Sequence, residues 1–250
     1  MFPIRDTIPS QHPPIATVLL IIVNCVVFIF ELRMPPPVRD HFFQLFGIVP
    51  ARLSHPNWAL WFGFPVDNYW PLLTSMFLHA GWLHIIGNMW ALWIFGDNVE
   101  DRMGPVRFVV FYLLCGLVAG VVHWFTNPHS TIPTVGASGA IAGVMGAYLI
   151  LFPRSRVIVL VPVLIFPFFF ELPAVLYLVF WAFMQVFSGT LSLADARSVG
   201  GVAWWAHAGG FSAGIVLHSF FIRRNRAGRA ISRFGRMIVN SCWCPHRPWR

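Results

Sequence analysis

Lysine is absent from this chain and carboxylates are scarce: all 17 basic residues are Arg, and Asp and Glu together number 9. Only 10% of the 250 residues are charged, against roughly 25% in soluble domains, which excludes an ordinary water-soluble globule. The formal charge of +8 raises the question of nucleic acid. Six of the arginines, however (Arg223, Arg224, Arg226, Arg229, Arg233 and Arg236), directly follow the last apolar run. That placement fits a cytoplasmic anchor facing lipid headgroups, with no nucleic-acid partner. Cysteine is also sparse. Cys25 and Cys115 lie in apolar runs as small hydrophobes, and Cys242, Cys244 and His246 supply too few ligands for a closed zinc site.

What the chain does have is length in apolar runs, 57% of its residues being hydrophobic. Six helices of bilayer length can be drawn, near Ile15–Leu32, Trp70–Gly96, Val106–Phe125, Ser138–Phe152, Leu172–Phe187 and Gly201–Ile222. The expected fold class is therefore an all-α polytopic membrane protein. Its expected organisation is a leader over 1–14, a membrane domain over 15–222 and a basic tail over 223–250. The first run, from Ile15 to Phe30, lacks a small-residue cleavage site and is retained as a span. Val157–Phe170 is apolar but holds Pro162 and Pro167, so it reads as an interfacial or re-entrant link. The loop from Arg33 to Tyr69 carries an apolar stretch, Phe42 to Ile48, expected to lie on the membrane surface, with Trp58, Trp61 and Trp70 as interfacial anchors. Arg5, Arg102, Arg107, Arg154, Arg156 and the tail cluster then share one side, against Arg33, Arg39, Arg52 and Arg197 on the other. By the positive-inside rule both termini are cytoplasmic, and a bacterial plasma membrane is expected.

Polar groups inside such spans are costly, so their positions are informative. Ser138 opens the fourth span between Gly136 and Gly139. It reads either as a plain helix cap or as a nucleophile beside free N–H groups able to hold an oxyanion. His207 shares a face with Ala203, Gly210 and Gly214, while Gly139, Gly143 and Gly146 form a matching stripe. Small stripes let two helices approach closely, which would bring the imidazole within reach of the Ser138 hydroxyl. His84 and Asn88 share one helix face, either as an interhelical hydrogen-bond pair or as oxyanion donors, four to five turns down a span begun at Trp70. A metal held by His79, His84 and His207 lacks a carboxylate and a zinc motif, and neither metal nor cofactor is expected. His123 and His218 have no evident partners. No carboxylate lies within the second, fourth or sixth span, so a hydrolase here would work with a dyad.

Together, His79-x4-His84-x3-Asn88, Glu100-Asp101-Arg102-Met103-Gly104, Gly136-Ala137-Ser138-Gly139 and Ala206-His207-x2-Gly210-x3-Gly214 resemble the rhomboid family of intramembrane serine proteases. The resemblance implies a six-helix bundle that cleaves peptide bonds in or near transmembrane segments of protein substrates. It implies Ser138 as nucleophile, His207 as general base, and His84, Asn88 and the Ser138 N–H as the oxyanion hole, with Glu100 and Gly104 structural. Two positions depart from the pattern: Trp70-Pro71 stands where many members have Trp-Arg, and Ala142 where some carry an aromatic residue against the histidine. The competing expectation is a non-catalytic rhomboid-like binder or chaperone of membrane proteins; a transporter is disfavoured for want of an internal repeat.

Overall fold

A computed structural model describes residues 2–163, 166–194 and 202–223. The arginines from Arg224 to Arg236, Arg197, Asp195, and the Cys242, Cys244 and His246 cluster lie outside the described residues. A short strand, β1 (Phe2–Asp6), precedes α1 (Ile15–Leu32). Four short helices follow: α2 (Pro36–Phe46), α3 (Pro50–Ser54), α4 (Pro56–Trp61) and α5 (Pro71–Thr74). Next come α6 (Trp82–Met103), α7 (Pro105–Thr126) and α8 (Ser138–Leu151). A hairpin of β2 (Arg156–Val163) and β3 (Phe166–Pro173) leads into α9 (Ala174–Ala194), and α10 (Trp204–Phe221) completes the described fold.

Proline sets most of these starts. Pro36, Pro50, Pro56, Pro71 and Pro105 each open a helix, where the missing N–H would have had no partner anyway. The loop read as running from Arg33 to Tyr69 is therefore largely helical; of its Phe42–Ile48 stretch, Phe42–Phe46 ends α2 and Ile48 bridges to Thr134. It is held internally: buried Arg52 donates to the Gln44 and Leu45 carbonyls at 3.0 and 3.2 Å, and Thr74 Oγ1 donates to the Phe46 carbonyl at 2.7 Å. Those bonds anchor the loop.

The second long helix starts at Trp82, not Trp70, because Pro71–Thr74 and a 3-10 turn at Ser75–Phe77 take up the preceding residues. It also runs on to Met103, so Asp97, Glu100 and Asp101 belong to its last turns. They are occupied there. The buried Glu100 carboxylate accepts from the Ala16 and Thr17 N–H groups at 2.9 and 2.8 Å and from Thr17 Oγ1 at 2.9 Å, satisfying the free donors at the head of α1. Asp101 accepts from the Gln11 and His12 N–H groups, and Ser10 Oγ bonds to Asp97. Gly104 then reverses the chain at φ +80°, with Arg223 packed where a side chain would sit.

Apolar residues at helical spacing face the core: Leu92, Phe95, Val99 and Met103 on α6, and Phe108, Phe111, Tyr112 and Cys115 on α7. Helix α8 is buried on every side from Gly139 to Tyr148. By length and composition, α1, α7 and Ala174–Ser192 of α9 can cross a membrane. Helix α8 is apolar but only 14 residues long; being enclosed by protein, it need not match a bilayer's thickness.

The link read over Val157–Phe170 contributes strand. It is an antiparallel hairpin, extended by β1 into a three-stranded sheet in the order β1-β2-β3. A run rich in Val, Ile, Leu and Phe favours strand, and pairing satisfies its backbone without a lipid-spanning helix. Pro162 and Pro167 sit directly opposite each other, so neither needs an N–H for the ladder. The leader over 1–14 thus contributes a strand. Asp6 ties that strand to two helices, accepting from Tyr148 Oη at 2.5 Å and Asn98 Nδ2 at 2.9 Å.

Candidate active site

The two small-residue stripes pack backbone against backbone. A Cβ on Gly210 would lie 2.0 Å from the Gly139 carbonyl oxygen, and one on Gly214 would lie 1.9 Å from that of Gly143. Further along α8, Gly146 meets the Phe211 carbonyl of α10, and Gly143 also meets Cys115 of α7. No side chain larger than hydrogen fits at these contacts, and the closeness sets the distance between the polar residues at the helix heads. Ser138 is the first residue of α8 and His207 stands one turn into α10, which begins at Trp204. His207 Nε2 lies 2.7 Å from Ser138 Oγ.

The far side of the ring is filled by α9. His207 Nδ1 is 2.8 Å from Gln185 Oε1, and Gln185 Nε2 donates to the Trp181 carbonyl at 3.0 Å. Trp181 also lies against the imidazole, with ring centroids 5.7 Å apart, and Trp204 meets it edge-on at 6.5 Å. The aromatic contact that Ala142 cannot make is thus supplied from another helix. Sequence reasoning missed both Gln185 and Trp181. The available signal was a glutamine in an otherwise apolar helix, one turn after a tryptophan.

His84 and Asn88 lie higher in the fold than expected. Because α6 begins at Trp82, His84 falls in its first turn, and Asn88 follows a turn later. Both face the chain leading into Ser138. Gly136 adopts φ +131°, a conformation closed to most side chains, and its N–H donates to the Ser75 carbonyl at 2.8 Å. A Cβ there would lie 2.6 Å from His84 Nε2 and 3.6 Å from Asn88 Nδ2. Asn88 Nδ2 is buried with no hydrogen-bond partner. His84, Asn88, Gly136, Ser138 and His207 all line one cavity of about 680 Å³.

The remaining histidines separate. His79 is buried beside His84, ring centroids 5.2 Å apart, and its backbone N–H faces the Glu31 carboxylate at 3.3 Å. His123, read as partnerless, is buried, lines the same cavity and bonds to Thr134 Oγ1 at 2.8 Å. His218 Nδ1 bonds to the Ile215 carbonyl at 2.6 Å. Among the described residues no group of three or more His, Cys, Asp or Glu side chains is arranged to hold a metal.

A family model, the Rhomboid domain, matches residues 66–224. The chain belongs to the rhomboid family. The match begins after α4, so it takes in every residue lining the cavity except Ile48. This rhomboid is 35% identical to Rhomboid-like protein 11, chloroplastic, of Arabidopsis thaliana over 120 residues, 48% of this chain and 39% of that protein. It is 40% identical to Rhomboid protease GluP of Bacillus subtilis over 82 residues, 33% of this chain and 16% of that one. Presenilin-associated rhomboid-like protein, mitochondrial, of Mus musculus is 33% identical over 99 residues, 38% of this chain and 26% of that protein. The matched stretches therefore span well under half of these relatives. Family membership and the apolar helices make this a membrane protein. With chloroplast, mitochondrial and bacterial relatives alike, the comparisons do not support the expected bacterial plasma membrane over any other.

Proposed function

We propose that this rhomboid is an intramembrane serine protease that hydrolyses peptide bonds in or beside transmembrane segments of other membrane proteins. The observation that carries the reading is the 2.7 Å contact between Ser138 Oγ and His207 Nε2 inside a cavity. In the first half-reaction His207 Nε2 takes the Ser138 proton as Oγ attacks the scissile carbonyl carbon. The oxyanion is held by the N–H groups at the head of α8 and by His84 and Asn88, whose unpartnered Nδ2 is an available donor. His207 then gives its proton to the departing amine nitrogen as the C–N bond breaks, leaving Ser138 acylated. Water enters, loses a proton to His207 and attacks the acyl carbon; Ser138 recovers its proton and the acid product leaves.

On this reading residues 15–222 form a six-helix membrane domain with both termini cytoplasmic, and 223–250 a basic tail on the lipid headgroups. Ser138 and His207 then lie toward the outer face. A substrate helix must unwind to expose a carbonyl, so segments weakened by Gly or Pro are the favoured targets. Purified protein incubated with a reporter transmembrane substrate tests the reading, with a fluorophosphonate probe as a second readout. Cleavage and labelling should disappear in Ser138→Ala, and cleavage in His207→Ala. Undiminished cleavage by Ser138→Ala protein would refute it.

A further inference from the structure

The imidazole of His207 has two nitrogens, and only one protonation pattern lets it take a proton from Ser138. Which pattern it adopts is fixed on the side away from the serine. Gln185 is 5% exposed, and its amide nitrogen is committed to the Trp181 carbonyl at 3.0 Å. Its oxygen therefore faces the ring, 2.8 Å from Nδ1. An amide oxygen only accepts, so Nδ1 must carry the hydrogen. In neutral histidine that leaves Nε2 bare, facing the Ser138 hydroxyl at 2.7 Å.

We infer that Gln185 is a positioning residue for the proposed reaction, holding His207 in the one tautomer able to act as base. The inference rests on the protease reading and adds to it a residue that neither the family motif nor the dyad contains. A neutral amide fills the place that a carboxylate fills in a triad: it selects the tautomer and the ring orientation without adding a charge to the apolar interior. The support comes from the least buried of the three apolar spans among the described residues. Only 22% of the apolar window of α9 is buried in the protein, against 33% for α1 and 44% for α7. Trp181 and Gln185, one turn apart, bring two contacts from one face of α9 onto the same ring. The orientation of the base therefore depends on α9 staying docked.

Two nearly isosteric variants of the full chain separate this role from packing. Gln185→Met keeps the volume and removes the acceptor; Gln185→Glu keeps an acceptor oxygen. For metal-ligating histidines, loss of the outer hydrogen-bond partner costs roughly 10–100-fold in activity, and a loss of at least that order is expected here. That loss is expected in kcat for Gln185→Met, with KM within about threefold, since substrate contacts are untouched. Gln185→Glu should stay within about tenfold of the parent, because its oxygen still receives Nδ1–H. Ring 15N shifts of labelled His207 give a readout independent of turnover: the hydrogen should sit on Nδ1 in the parent and in Gln185→Glu, and lose that preference in Gln185→Met. A Gln185→Met protein with the parent's kcat, or with its His207 tautomer unchanged, overturns the inference. Ser138→Ala run alongside keeps the two failures apart. Cleavage persisting there sinks the protease reading, whereas cleavage lost there but intact in Gln185→Met sinks only the role of Gln185.

Discussion

At the scale of single residues, chemistry is set by what each polar atom has left to bond. Asn88 is the clearest case, its Nδ2 buried beside Gly136 and unpartnered. An isolated buried donor is unfavourable, and an oxyanion forming in the adjoining cavity would relieve it. Replacing Asn88 by Ala should lower kcat about 10²–10³-fold, the usual cost of one oxyanion donor. Binding of an uncleaved substrate analogue should change little, and the two measurements together separate a donor from a packing residue. The motif spacing gave reason to pair Asn88 with His84. Its depth was misjudged because Pro71 starts a separate short helix that the hydropathy of Trp70–Gly96 hides.

Elements behave differently, because helices meet through whole faces. The Gly139/Gly143 and Gly210/Gly214 stripes were visible as spacing, and they do pack together. A side chain at Gly210 would fall 2.0 Å from the Gly139 carbonyl oxygen, which is backbone and cannot swing aside. Gly210→Val should force α8 and α10 apart, costing at least the 1–3 kcal/mol typical of overpacking. It should also cut cleavage, because the Ser138–His207 distance depends on that contact. A lowered unfolding midpoint in detergent, together with reduced fluorophosphonate labelling, would bear this out; an unchanged midpoint would count against it. The hairpin shows the limit of pattern reading. Its two prolines argue against a helix, but nothing local says that Arg156–Val163 folds back on Phe166–Pro173 or that Phe2–Asp6 joins as a third strand.

Across the whole molecule, contacts far apart in sequence lock the N-terminal segment to the bundle. Asp6 bonds to Tyr148, 142 residues away, and to Asn98. Burial is the main cause that pushes the Asp6 carboxyl up to about 6 from its ordinary 3.8. The folded state therefore holds this proton more tightly than the unfolded chain does. The Asp6 contribution is fully present below pH 3.8 and is lost as pH rises through about 6. Unfolding midpoints taken across that window should fall with pH for the parent protein. Asp6→Asn, which cannot ionise, should show a flatter dependence; parallel curves would exclude Asp6 as the group responsible.

Local order along the chain is what could be read directly from the residues. Apolar runs marked the long helices, proline and glycine their starts and reversals, and helical spacing the small faces and the Ser138, His207, His84 and Asn88 candidates. Which residues meet across the fold emerged only from the packed molecule. Gln185 and Trp181 reach His207 from a helix 22 or more residues earlier. Glu100 closes the head of α1 across 83 or 84 residues, and the strand pairing of the leader spans still more. Periodicity fixes which face a residue occupies, because backbone geometry repeats along the chain. It does not fix the neighbour that face will find, because that follows from packing all the faces at once.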